Sequence, residues 1–78
     1  MKALTQKQVE IYLHIKNVIK DTGIPPTRRE VADSFGIRPN AADLHIKAIV
    51  NKGALELVPG MSRGLKLVKG YRLRVKGD

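Results

Sequence analysis

The strongest constraint on the fold sits around Gly36. Residues 27–37 read TRREVADSFGI, and residues 38–49 continue as RPNAADLHIKAI. Thr27 and Glu30 have the spacing of a capping box, in which each side chain satisfies a free amide at a helix start. Val31, Ala32 and Phe35 then face inward from a short helix. Gly36 can take a positive φ at no steric cost, as a sharp turn demands, and Ile37 plugs the corner. Ala32 is small and leaves space for the next helix to cross closely. That helix starts near Asn40, a favoured N-cap preceded by Pro39. Ala42, Ile46, Ile49 and Val50 form its apolar stripe, and Asn40, Ala41, Leu44, Lys47, Ala48 and Asn51 lie on its other side. Lys52 and Gly53 end it. Two helices joined in this way are the parts of a helix-turn-helix, whose second helix lies in the DNA major groove.

Charge agrees with a polyanionic partner. The chain of 78 residues carries a net charge of +8, and a basic surface draws in phosphate backbones. Late in the chain Arg63, Lys66, Lys69, Arg72, Arg74 and Lys76 stand against only Asp78. The length allows one domain with a single modest core. There is no cysteine, so neither disulfides nor a thiolate metal site can add stability. With 42% hydrophobic and 28% charged residues, the composition suits a folded soluble domain. No apolar run approaches the roughly 18 residues that span a membrane. The start, MKALTQKQ, also lacks the apolar stretch of a signal peptide. The expectation is a cytoplasmic protein with no membrane partner.

The flanks complete the architecture. Thr5 and Gln8 repeat the capping-box spacing, so a first helix begins after Thr5. Val9, Ile11, Tyr12, Leu13, Ile15, Val18 and Ile19 give it a broad apolar face, and Gly23 with Pro25 and Pro26 stops it. After Gly53 the period changes. Residues 54–58 alternate, 59–64 (PGMSRG) are turn-rich, and 65–68 resume a strand, which reads as a β-hairpin. The fold class is therefore mainly α with a small β-hairpin, a three-helix winged helix-turn-helix over residues 1–68, with 60–64 at the wing tip. Residues 69–78 form a basic tail. Its Tyr71, Leu73 and Val75 alternate with Arg72, Arg74 and Lys76. Such a strand can extend the wing sheet and pair with a second copy, or it only finishes the monomer's own sheet or frays.

With these elements placed, the chain resembles the amino-terminal DNA-binding domain of the bacterial LexA repressor family. The matching pieces are MKALT at 1–5, TGIPPTR at 22–28, EVA at 30–32, PNAA at 39–42, HIKAI at 45–49, KG at 52–53 and SRG at 62–64. Their order and spacing carry the resemblance to about Val68. It implies a repressor that binds paired half-sites of double-stranded DNA as a homodimer and controls DNA-damage (SOS) genes. Full-length members add a carboxy-terminal domain that dimerises and cleaves the linker through a Ser–Lys dyad. That domain is outside this sequence, so no enzyme activity is expected. Three departures stand out. The loop between Arg38 and Pro39 is one residue shorter than usual. Leu44 follows Asp43 where the family commonly has two acidic residues. The tail is basic where the family's linker is acidic or flexible. The first two set the usual operator in question. The third leaves open a cut fragment or a stand-alone regulator, as from a mobile element.

Candidate contacts follow from side-chain chemistry. Asn40 can pair with adenine in a bidentate way or serve as a helix cap. Leu44 points away from the core stripe, where it can pack on a thymine methyl group or stand as an ordinary exposed leucine. Ala41, Asp43 and Lys47 complete the candidate base-contact set. Lys47 also belongs with Arg28, Arg38 and Lys52 as a phosphate contact, setting register and affinity but not sequence preference. Ser62 and Arg63 at the wing tip can touch backbone or enter a minor groove. His14 and His45 lack metal-ligand partners, Ser34 and Ser62 lack a base, and no phosphate-binding glycine loop occurs. No catalytic residue, metal or cofactor is expected. A winged helix that binds RNA or protein is the competing class, but two tyrosines and one phenylalanine are too few for a base-stacking platform.

Overall fold

A computed structural model describes residues 3–75. Met1 and Lys2 of the first matching piece, and Lys76 and Asp78 of the tail, lie outside the described residues. The elements run α1 (Gln6–Thr22), α2 (Arg28–Phe35), α3 (Pro39–Asn51), β1 (Leu55–Leu57) and β2 (Leu65–Leu67). This is the expected mainly helical fold with a two-stranded antiparallel hairpin.

Both capping boxes form. The Gln8 amide donates to Thr5 Oγ1 at 3.3 Å and the Thr5 amide to Gln8 Oε1 at 3.0 Å. At α2 the Glu30 amide donates to Thr27 Oγ1 at 3.1 Å and the Thr27 amide to Glu30 Oε1 at 2.9 Å. Gly36 then turns the chain at φ 63°, and the Ile37 amide closes the corner on the Ala32 carbonyl at 3.0 Å. The start of α3 differs from expectation. Arg38, not Asn40, is the N-cap, with extended backbone and no side-chain cap bond. Proline explains the shift. The residue before Pro39 is pushed towards extended geometry, while Pro39 itself suits the first helical position, where no amide is needed.

The core gathers Ala42, Ile46 and Ile49 of α3, Val31 and Ala32 of α2, and Ile11, Tyr12 and Ile15 of α1. Ala54, Leu55 and Leu65 add the foot of the hairpin. α3 packs on both α1 and α2, and Ala32 is fully buried. The apolar face of α1 is narrower than its sequence suggests. Leu13 is exposed and Val18 half-buried, because the partner helices do not reach round to that side.

In the hairpin Leu55 pairs with Leu67, Glu56 with Lys66 and Leu57 with Leu65. Leu55 and Leu65 are buried, while Glu56 and Lys66 face solvent. Gly64 closes the loop for a steric reason. A Cβ there would lie 2.6 Å from the Val58 carbonyl oxygen and 3.1 Å from that of Met61, and backbone cannot yield as a side chain can.

The tail takes a partner other than the wing. Among the described residues the sheet holds β1 and β2 alone. Val75 instead pairs in parallel with Leu4, whose amide donates to the Arg74 carbonyl at 2.8 Å. Tyr71 meets Tyr12 edge-on, with ring centroids 5.4 Å apart. Leu4 is fully buried, and a buried amide needs an acceptor. The tail supplies both the acceptor and an apolar cover.

Candidate nucleic-acid interface

The outer face of α3 is built by helical spacing. Asn40, Leu44, Lys47 and Asn51 recur along one side and all are exposed, with Ala41 half-buried beside them. Leu44 is 69% exposed, well outside the stripe of Ala42, Ile46 and Ile49. Since Arg38 occupies the N-cap position, the Asn40 carboxamide is not used for capping.

Asp43 holds a different position. Its Oδ1 accepts from Arg28 at 2.6 Å and its Oδ2 pairs with Lys47 at 2.9 Å. The contacts from Lys47, and then Arg28, keep its carboxyl below the usual aspartate range. The cluster joins the start of α2 to the second turn of α3, so two of the candidate DNA cations share one carboxylate. Arg38 is exposed at the mouth of the same helix.

Lys52 and Arg63 are also engaged within the protein. Lys52 Nζ donates to Gln8 Oε1 at 2.6 Å, so the oxygen that caps α1 also ties down the end of α3. Arg63 grips Glu30 through two bonds of 2.8 and 2.9 Å, and its Nη1 also donates to the Pro25 carbonyl at 3.0 Å. The wing is thereby strapped to the start of α2. Ser62 stays exposed at the tip, next to Met61, which is 55% exposed. His14 packs edge-on to Phe35 at 5.4 Å, as a packing histidine should.

A basic wing, a free helix face and a glycine-turned helix pair together describe a surface for duplex DNA. The family model described as LexA DNA binding domain matches residues 1–64. The chain belongs to this family. Its partner is therefore double-stranded DNA, bound with sequence specificity as by a LexA-like repressor. The match takes in all three helices, β1 and the wing turn, and stops before β2. Among the described residues no helix of this LexA-type domain is long and apolar enough to cross a membrane.

Gln8 and Glu30 emerge as second-purpose residues that sequence reading assigned to capping alone. No local signal marks their distant partners, which lie 44 and 33 residues away. The Glu30 contact has a testable pH signature. Hydrogen bonds from Arg63, and then from the Thr27 amide, lower its carboxyl from the usual 4.5 to about 2. A depressed folded value means that the strap contributes fully above pH 4.5 and is lost as pH falls towards about 2. A carboxyl chemical-shift titration of the LexA-type domain should place the Glu30 midpoint well below an ordinary glutamate. In Arg63→Ala the midpoint should rise, but stay below that of an ordinary glutamate, because the Thr27 amide still donates to the carboxylate. A wild-type midpoint near 4.5 would remove the strap.

Proposed function

We propose that this domain represses transcription by laying α3 in the major groove of paired half-sites, so that occupancy obstructs polymerase. Asn40, Ala41, Leu44 and Lys47 face the base edges in this reading, and Arg28, Arg38 and Lys52 line the backbone to either side. Ser62 meets the backbone at the wing, with Arg63 holding the wing at its angle. Asp43 works through Lys47 and Arg28, because accepting from a cytosine amino group would cost it one of two ion pairs. The genes under control are those of the DNA-damage response, as family membership suggests.

The observation that carries this reading is Leu44. A leucine 69% exposed on the free face of α3 gains nothing within the monomer, whereas a thymine methyl would bury it. Selection of bound sites from random duplex DNA tests the proposal, with RNA as competitor. A recovered half-site with a thymine opposite Leu44, resistant to RNA, is the expected result. Equal binding to all duplexes, or preference for RNA, would refute it.

The tail's pairing with Leu4 of its own chain bears on assembly. The free domain is expected to be a monomer that forms a dimer on adjacent half-sites of the operator. Sedimentation velocity checks this, with and without a two-half-site duplex. A stable dimer in the absence of DNA is the outcome that sinks it.

A further inference from the structure

We propose that the tail, residues 69–75, is a second DNA-contact element, a basic strap held at the C-terminal end of the recognition helix that meets phosphates flanking the half-site. The proposal rests on α3 being the groove-bound helix. It concerns a segment beyond the residues matched to the family, 1–64.

Three observations lead to it. The first is position. The Arg74 carbonyl accepts from the Leu4 amide. The next amide, that of Thr5, donates to Gln8 Oε1, and Lys52 at the end of α3 donates to the same oxygen. Three hydrogen bonds and one peptide unit thus join the tail to Lys52, the C-cap of α3. In homeodomains, a variant of the helix-turn-helix, the C-terminal end of the recognition helix contacts the DNA backbone.

The second is orientation. Alternation along an extended segment sends neighbouring side chains to opposite sides. Tyr71 and Val75 are partly buried against the body, and Arg72 and Arg74 are exposed. Leu73, on the inward side by alternation, is 39% exposed, and Lys69 is exposed in the turn before Gly70. The Tyr71 hydroxyl is buried without a hydrogen-bond partner among the described residues, so ring packing on Tyr12 and the Leu4 pairing hold the strap.

The third is charge. Around α3 and at the wing tip Arg28, Lys47 and Arg63 have carboxylate partners, whereas Arg38, Lys52 and Lys66 have none among the described residues. Lys69, Arg72 and Arg74 also have none among the described residues. A cation with no internal partner can neutralise a phosphate without first breaking an ion pair, and each phosphate neutralised releases counter-ions condensed on the DNA. A duplex backbone, evenly charged and indifferent to sequence, suits such a row.

The test is the salt dependence of binding by the full chain to a selected half-site with several flanking base pairs. For R72Q/R74Q the log–log slope should shrink by roughly 1.8, about 0.9 for each phosphate contact. The affinity lost between 50 and 200 mM salt would then be about tenfold smaller than for the unaltered protein. The ranking of half-site sequences should not change. R72K/R74K, which keeps the charge, should keep the slope. A slope unchanged in R72Q/R74Q overturns the strap, as does a changed ranking, which would mean that the tail reads bases or disturbs α3. Failure of the α3 reading shows separately, as half-site rankings that are insensitive to Asn40→Ala and Leu44→Glu.

Discussion

Leu44→Glu should weaken binding to the preferred half-site and change which half-site is preferred. Leu44 is the most exposed large apolar side chain of α3, so the substitution leaves the fold nearly untouched. In the groove it exchanges an apolar contact for a carboxylate facing the phosphates. Losing one base contact costs about 1–3 kcal/mol, confined to one position of the site. The added charge should lower affinity further at every sequence and most at low salt. Asn40→Ala should give a cleaner version of the first effect, a changed preference at one position without the uniform loss. Binding measured against a panel of single-base variants separates the two. If both proteins rank the panel as the unaltered domain does, α3 is not reading sequence.

Ile46→Ala should produce a large loss of stability, matched on α3 only by truncation of the equally buried Ile49. Ile46 is fully buried where α3 packs on α1 and α2. Removing it forfeits transfer energy and leaves a cavity that the rigid helices cannot collapse, at a cost of about 2–5 kcal/mol. A domain of this size has a total stability towards the low end of about 5–15 kcal/mol. The melting midpoint should fall by roughly 8–40 °C, given about 4–8 °C per kcal/mol for small domains. Leu44→Ala, two residues away but exposed, should stay within about 0.5 kcal/mol. Urea and thermal unfolding of the pair measure this directly. A loss below about 1 kcal/mol for Ile46→Ala would mean that the core is not organised around α3.

Local relations were legible from the residues alone. A capping box depends on two side chains three positions apart, so Thr5 with Gln8 and Thr27 with Glu30 could be read at once. The same holds for Gly36, whose positive φ serves a turn within a few residues. It also holds for the α3 stripe, because helical periodicity decides which residues share a face. These features determined the three helices and the exposed face bearing Asn40 and Leu44, and the alternation of 54–58 and 65–68 about the turn-rich 59–64 determined the hairpin. The N-cap of α3 was misread because Asn40 is a good cap by type, whereas the rigidity of Pro39 set the boundary two residues earlier.

The rest needed the tertiary structure. Arg28, Lys52 and Arg63 read alike in sequence, as basic residues near a DNA-binding helix. Their partners differ because helix crossings bring Asp43, Gln8 and Glu30 to them from 15, 44 and 33 residues away. The tail shows the same division. Its alternation announced one apolar face and one basic face. Which surface the apolar face would cover was decided by the buried Leu4 amide, which lacked an acceptor until Arg74 was brought to it. Spacing along the chain carries the geometry of a single helix or hairpin. It carries no information on how far apart two elements lie once they are packed, and ion pairs between elements depend on that distance.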